Sequence, residues 1–229
     1  MYVLIHGGYH GAWCWEPLLP YLRRRALAVD LPGRGTHPAP LDSVTIEASA
    51  RSVVADVDAA GFDQVVVVAH SLGGATAPAV ARLLGDRVRH LVFVSCLLAR
   101  DGESIAQGFP PELMERALEQ VQQSGPGSEI DEEHHRHMLC NDLTEQQSRW
   151  VLDHVVPDSP AFFTDPVHWG SAKALPATYL RLLRDQALPP NMQDVMISRL
   201  AQCDVVEIDS GHQVMISQPE RLAAVLESL

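Results

Sequence analysis

The length, composition and charge of the chain exclude several classes of protein. It has 229 residues, 46% of them hydrophobic, which suits one domain with a substantial core and one large insertion. The net charge of -12 argues against nucleic acid as a partner, because phosphate binding needs a basic face, and against anionic membranes. No apolar run is long enough to span a bilayer.

The first residues and the cysteines indicate the compartment. "MYVLIHGG" reads as a strand and a loop, not as a signal peptide. Cys14, Cys96, Cys140 and Cys203 lie far apart with no CxxC pair, which is typical of reduced, mostly buried thiols. We therefore expect a cytoplasmic protein.

The first half of the chain alternates apolar runs of strand length with segments of helical period. Strands are predicted over residues 2–5, 26–29, 65–68 and 90–98. Helices are predicted over residues 15–22, from Ile46 until Gly61, and from Ser71 until Gly85. Pro78 lies about two turns into the last of these and predicts a kink, because proline removes a backbone hydrogen bond.

The second half returns to the same pattern after an interruption. Strands are predicted over residues 177–183 and 205–208, and helices over 192–200 and near the end of the chain. Between them, residues 100–173 are polar, and "PPELMERALEQVQQ" and "TEQQSRWVLDHVV" read as helices. The pattern predicts an α/β fold, with a mostly parallel six-stranded sheet and helices on both faces. Its core spans residues 1–99 and 174–229, and residues 100–173 form a helical lid over the strand ends.

The stretch "VVVVAHSLGGATA" places Ser71 between a strand and a helix. Such a serine lies on a sharp, strained turn, and the residues two before and two after it, Ala69 and Gly73, must be small. The usual signature, G-x-S-x-G, has glycine where this chain has Ala69. Two interpretations remain open at this point: Ser71 is a nucleophile beside the positive end of a helix, or it is an ordinary N-cap.

A serine nucleophile needs a base, which is oriented by an acid. In a sheet of this kind the order along the chain is serine, acid, histidine. His212 follows the last predicted strand, and Asp185 follows the strand before it. Three other aspartates lie respectively inside a predicted helix, before the last strand and on the loop of the histidine: Asp194, Asp204 and Asp209. We predict the triad Ser71, Asp185 and His212.

A reaction through an acyl-enzyme also needs two backbone donors for the oxyanion. One is the N–H of Leu72, after the serine, and the other comes from the loop after the first strand, "IHGGYHGAW". Gly7 and Gly8 let this backbone approach a bound carbonyl, although glycines of this kind also serve simple tight turns. We assign the Gly8 amide as second donor and place Gly7 in the substrate site.

The quoted segments resemble the α/β-hydrolase superfamily. The resemblance rests on "YVLIHGGYHGAWCW", "DLPGRG", "VVAHSLGG", "RDQALPP" and "GHQVMISQPERL". Within the superfamily, the chain most resembles the branch of plant methyl-ester esterases and hydroxynitrile lyases with its bacterial relatives. The resemblance implies the same assignment as above: Ser71 nucleophile, Asp185 acid, His212 base, and the Gly8 and Leu72 amides as oxyanion donors. It is specific at both ends of the chain and weak across residues 100–173.

Two positions distinguish the esterases of this branch from the lyases. The lyases carry a threonine where this chain has Gly7, and a lysine where it has Gln213. A cyanide leaving group needs a nearby positive charge, and the only lysine, Lys173, falls in the predicted lid. The esterase interpretation is therefore favoured.

Three further features are assigned no chemistry or only a minor part. Adjacent histidines on a helix point apart, so "EEHHRHML" predicts no metal site, and Cys96 reads as a structural thiol. The aromatic residues of the lid region either line an apolar pocket or simply pack: Trp150, Phe162, Phe163 and Trp169. Of these we assign Trp150 to the substrate pocket.

Together these features predict a serine hydrolase that cleaves a small, fairly apolar carboxylic ester without cofactor or metal. The expected partners are a small-molecule ester and at most a second copy of the chain, with no nucleic acid and no membrane. The alternatives to an esterase that use the same triad are a lactonase, a thioesterase and a cofactor-free lyase or cyclase. A non-catalytic ligand-binding receptor of the same fold is another, because fold alone does not decide function.

Overall fold

One parallel sheet organises the computed structural model, which describes residues 1–109 and 132–229. The sheet has the strand order β2-β1-β3-β4-β5-β6, and every neighbouring pair is parallel. Its strands are β1 (Tyr2–Ile5), β2 (Ala26–Val29), β3 (Val65–His70), β4 (Val88–Val94), β5 (Ala177–Leu182) and β6 (Asp204–Ile208). The predicted six-stranded α/β architecture is confirmed.

The helices of the described residues follow the predicted order. They are α1 (Ile46–Ala59), α2 (Ala77–Leu84), α3 (Glu132–Leu139), α4 (Glu145–His154), α5 (Ala161–Thr164), α6 (Pro190–Ile197), α7 (Val214–Ser217) and α8 (Pro219–Glu227). The helix predicted from "PPELMERALEQVQQ" lies outside the described residues. The one predicted from "TEQQSRWVLDHVV" is α4, which begins with a capping box between Thr144 and Gln147.

The two faces of the sheet have separate hydrophobic cores. Successive side chains of a strand point to opposite faces, so Val65 and Val67 pack with α1 and α2, whereas Val66 and Val68 pack with Trp15 and α8. All four valines are buried. The uninterrupted apolar run of β3 is explained by this double covering, because a half-covered strand would alternate apolar with polar residues.

Proline accounts for two differences between the predicted and observed helices. The helix predicted over residues 15–22 is replaced by two short 3₁₀ turns, Ala12–Trp15 and Leu19–Tyr21, and Pro17 and Pro20 lack the N–H groups that a longer helix needs. The kink expected at Pro78 is wrong. Ser71–Ala75 is a separate 3₁₀ turn, and Pro78 lies in the first turn of α2, where an N–H has no intrahelical partner.

The strand predicted over residues 90–98 is shorter at its carboxyl end. β4 ends at Val94 because Ser95 adopts a left-handed conformation, with φ of +43°. The chain therefore leaves the sheet at Ser95, next to the end of β3. This places a serine hydroxyl at the carboxyl edge of the sheet.

The stretch between β4 and β5 contains α3, α4 and α5, and its described residues include no strand. Val156 donates a hydrogen bond to the carbonyl of Tyr9, so this stretch packs against the loop after β1. Within residues 1–109 and 132–229, no helix is both long and apolar enough to cross a membrane.

Candidate active site

Ser71 lies on a strained turn at the carboxyl end of β3. Its φ of +51° is unusual for a residue with a side chain, and the 3₁₀ turn begins at this residue. A Cβ atom added to Gly73 would lie 2.6 Å from the carbonyl oxygen of His6, and one added to Gly7 would lie 2.7 Å from Cβ of Ser71. Both glycines are therefore required by close contacts around the end of β1, and Gly7 is adjacent to Ser71.

The structure brings Asp185 and His212 into direct contact. Nδ1 of His212 lies 2.6 Å from Oδ2 of Asp185, and both residues are buried. A carboxylate accepts, so Nδ1 carries the proton and Nε2 is left as the basic nitrogen. Asp185 also accepts hydrogen bonds from the Leu188 amide at 2.8 Å and the Ser95 hydroxyl at 2.6 Å. These two donors hold the carboxylate in place.

The other acidic candidates are engaged elsewhere. Asp209 pairs with Arg184 at 2.8 Å, and Asp194 pairs with Arg181 at 2.8 Å. Asp204 is exposed at the first residue of β6, which is the amino end of the sheet. Within the described part of the chain, Asp185 is thus the carboxylate that bonds the ring of His212.

His70 connects the serine turn to the loop of His212. Its Nε2 lies 3.0 Å from the carbonyl oxygen of His212, so Nε2 is the protonated nitrogen. Burial holds the pKa of His70 well below its usual value, and the ring is neutral. Sequence analysis gave His70 no role, although its place directly before the serine at the end of a buried strand was the available signal.

The two residues assigned to the oxyanion hole are neighbours. A Cβ atom on Gly8 would lie 3.3 Å from Cδ2 of Leu72. Leu72 is the second residue of the 3₁₀ turn, where backbone N–H groups have no partner within the helix. The two residues are therefore close in space, and the role of their amides as oxyanion donors stays a prediction.

His10 supports the same loop from the other side. Nδ1 of His10 donates to the carbonyl of Gly8, and Nε2 accepts from the Gln213 side-chain amide at 2.7 Å. Burial lowers the pKa of His10 to about 3, so the ring is neutral and can accept this bond. Gln213, at the position of the lyase lysine, is fully buried and contributes no charge.

Arg34 and Asp158 were missed by sequence analysis and lie beside the same loop. They form an ion pair, and Asp158 accepts the N–H of Tyr9 at 2.5 Å. Arg34 appeared only within the turn signal "DLPGRG", and Asp158 is isolated in the polar stretch after α4. Neither residue had a local signal, because the partners are 124 positions apart.

Trp150 lies on α4 and is connected to His10, in the loop after β1, through the ring of Trp13. Its ring is 5.0 Å from that of Trp13, which stacks on His10 at 5.1 Å. The other aromatics of the predicted lid, Phe162, Phe163 and Trp169, are buried in the core that contains α1 and α2. Across residues 1–109 and 132–229, no group of three or more histidine, cysteine, aspartate or glutamate side chains is arranged to hold a metal ion.

Comparisons with known proteins agree with this architecture. The chain is 26% identical over 245 residues to the carbendazim hydrolyzing esterase of Nocardioides sp. (strain SG-4G), covering 100% of this chain and 98% of that one. It is 25% identical to the alpha-hydroxynitrile lyase of Arabidopsis thaliana, covering 100% and 96%. An extracellular alpha/beta-hydrolase from a Paenibacillus species superposes with a TM-score of 0.86 at 23% identity, covering 99% and 97%, which shows the fold alone.

The relatives confirm the branch that the sequence motifs resemble, which holds both esterases and hydroxynitrile lyases. The sequence model of the alpha/beta hydrolase family matches residues 2–225. This range includes the strands, the turn of Ser71 and the loops of Asp185 and His212. The chain belongs to the alpha/beta hydrolase family.

Proposed function

We propose that the chain is a serine esterase that hydrolyses a small, fairly apolar carboxylic ester. The observation that carries the proposal is the buried Asp185–His212 pair, bonded through His70 to the turn that presents Ser71. The partial exposure of Ser71 and its left-handed backbone support a nucleophile over an N-cap, since an N-cap residue has ordinary extended dihedrals. Similarity to an esterase over the full chain supports the same reaction class.

The proposed mechanism follows the geometry of these residues. His212 takes the proton of Ser71 on Nε2 as Oγ attacks the ester carbonyl, and Asp185 stabilises the resulting imidazolium through Nδ1. The amides of Gly8 and Leu72 donate to the oxyanion of the tetrahedral intermediate. The intermediate collapses, His212 protonates the departing alkoxide, and an acyl-serine remains. Water, deprotonated by His212, then releases the carboxylic acid and restores Ser71.

Residues 100–173 are proposed to form the lid that selects the substrate, over a core of residues 1–99 and 174–229. α4 supports this role, because it brings Trp150 against Trp13 close to the loop after β1. These rings suit an apolar acyl or alcohol group. The proposed partner is a small-molecule ester, and a homodimer remains compatible with the proposal. The four free cysteines support a cytoplasmic location.

A lyase on the same triad is the second candidate, because a hydroxynitrile lyase is among the relatives. The residues at the site favour hydrolysis. Gln213 supplies no charge for a departing cyanide, and Lys173 lies before β5, at the amino end of the sheet, where it bonds Asp101 at 2.8 Å. A Cβ atom at Gly7 would lie 2.7 Å from Cβ of Ser71, so the threonine of the lyases does not fit without a shift of the backbone.

The test is a stopped-flow burst experiment with p-nitrophenyl acetate and butyrate. We expect one equivalent of p-nitrophenol per active site before the steady state, and a loss of kcat of at least about 10⁴-fold in both Ser71→Ala and His212→Ala. Ser228→Ala, an exposed serine on the last residues of the chain, is the matched control. Turnover that survives Ser71→Ala but not His212→Ala would instead indicate a proton-transfer enzyme, and ligand binding without turnover a receptor.

A further inference from the structure

We propose that Arg34 and Asp158 are positioning residues for the oxyanion hole, and that Arg34 neutralises a carboxylate which would otherwise repel the oxyanion. The inference rests on the proposed ester hydrolysis. The segment concerned is residues 7–10, called here the oxyanion loop, which contains the Gly8 amide. Arg34 belongs to the loop after β2, whereas Asp158 follows α4 in the inserted stretch.

The oxyanion loop is held mainly by groups outside it. Asp158 Oδ2 accepts the N–H of Tyr9 at 2.5 Å, and Val156 donates to the carbonyl of Tyr9 at 3.0 Å. The guanidinium of Arg34 donates to the carbonyl of His10. Tyr9 has φ of +63°, a left-handed conformation that a tyrosine adopts only where its surroundings impose it. The external hydrogen bonds on both sides of Tyr9 impose this conformation.

Asp158 brings negative charge close to one oxyanion donor. A Cβ atom on Gly8 would lie 3.0 Å from Oδ2 of Asp158, so the carboxylate adjoins the residue whose amide faces the substrate oxygen. An oxyanion bound at the Gly8 amide would therefore have a second negative charge nearby, and like charges repel strongly where water is excluded. An unpaired Asp158 would thus raise the energy of the tetrahedral intermediate while affecting the neutral ester much less.

Arg34 removes this penalty because it pairs with Asp158 in a buried position. The side chains are 2% and 13% exposed respectively, so solvent screens the pair weakly. Arg34 also bridges the carboxylate and the backbone of His10, which aligns the loop with the carboxylate. The ion pair therefore preserves the hydrogen bond from the Tyr9 amide to Asp158 and neutralises the charge of the Asp158 carboxylate.

This arrangement predicts that replacing Arg34 lowers kcat more than replacing Asp158 does. Arg34→Gln leaves the carboxylate unpaired and is expected to lower kcat about 100-fold with KM within about threefold of wild type, the size of effect seen when an oxyanion donor is lost. Asp158→Asn keeps an acceptor for the Tyr9 amide and should lower kcat less than about tenfold. The double variant should recover to within about tenfold of wild type, because the repelling charge is gone.

The experiment measures kcat and KM for p-nitrophenyl butyrate on the full chain, normalised by active-site titration with a fluorophosphonate so that unfolded protein is not counted. Inhibition by a trifluoromethyl ketone, which forms a tetrahedral oxyanion on the serine, should weaken in parallel with kcat. The matched control is the ion pair between Arg82 and Glu47, joined at 2.6 Å across α1 and α2. Arg82→Gln, Glu47→Gln and their double variant should leave kcat unchanged.

The outcomes separate this inference from the proposed function. An active wild type whose Arg34→Gln variant keeps its kcat, or whose double variant is as impaired as Arg34→Gln, overturns the role of Arg34 and Asp158 alone. A wild type that neither hydrolyses the esters nor reacts with the fluorophosphonate contradicts the proposed function, and this inference with it. Recovery in the double variant, with parallel changes in ketone affinity, supports the inference.

Discussion

His70 shows how a single side chain can link the loops of two candidate catalytic residues. It directly precedes Ser71 in the chain, and its ring lies 4.5 Å from that of His212. Because its Nε2 proton is directed at the His212 carbonyl, His70 constrains the backbone of His212, and its ring also packs beside the His212 imidazole. His70 is therefore a positioning residue in the proposed mechanism.

Replacing His70 tests this link. We expect His70→Ala to lower kcat about 10- to 100-fold with little change in KM, because a small misplacement of the base costs mainly the chemical step. The measurement is kcat and KM with p-nitrophenyl butyrate after active-site titration. The exposed His168 provides the control, and His168→Ala should match wild type. A rise of about 10- to 100-fold in KM with an unchanged kcat would show that His70 shapes the substrate pocket instead.

The connection between α3 and α4 acts on the loop of His212. Asp142 in this connection accepts the Gly211 amide at 2.6 Å and the Ser210 hydroxyl at 3.0 Å, and its side chain is 3% exposed. The two residues that precede His212 are therefore held by the inserted stretch. Asp158, which lies in the same segment between β4 and β5, bonds the oxyanion loop. The His212 loop and the oxyanion loop therefore both depend on how this segment packs.

This dependence predicts a defect in both stability and turnover for Asp142→Ala. Two buried donors lose their acceptor, which should cost about 2 kcal/mol of unfolding free energy, and kcat should fall about tenfold as the His212 loop loosens. Urea unfolding and steady-state kinetics measure the two effects. Asp153→Ala, at an exposed position of α4, is the control. If both variants behave alike, the inserted stretch does not hold the His212 loop.

The chain as a whole buries neutral histidines close to the site. Burial holds the pKa values of His6 and His70 well below the usual range and lowers that of His10 to about 3. His6 accepts the amide of Leu31 at 3.1 Å through Nε2, which a protonated ring could not do. Each ring takes up a proton on unfolding below about pH 6.5, so the folded state loses stability as the pH falls.

The resulting pH dependence can be measured by urea unfolding between pH 7.5 and 5. Stability from these rings is fully present above about pH 6.5, and each should then cost about 1.4 kcal/mol per pH unit on acidification. His10→Gln should reduce the slope by about one proton. Ser228→Ala, which changes an exposed side chain without a titratable group, should leave the slope unchanged. An unfolding free energy that is constant across this range would contradict the prediction.

Features that repeat locally along the chain could be predicted from the sequence. The periods of two and 3.6 residues predicted the parallel sheet, because each strand and helix must bury its own apolar face. The candidate residues Ser71, Asp185 and His212 followed from the same pattern, since each lies within four residues of the end of a predicted strand and these ends share one edge of the sheet. The helix predicted over residues 15–22 and the kink predicted at Pro78 were wrong, because the effect of a proline depends on where each helix begins.

The contacts that hold these residues are visible only in the folded structure. Ser95 reaches Asp185 across 90 positions, His70 reaches His212 across 142, and Arg34 reaches Asp158 across 124. Hydrogen bonds and ion pairs of this kind have no period and no fixed spacing, so no local pattern indicates them. They form because the sheet brings the ends of distant strands together at one edge, where buried polar groups must find partners. The proposed triad can thus be inferred from the chain, whereas the contacts that support its residues follow from the fold.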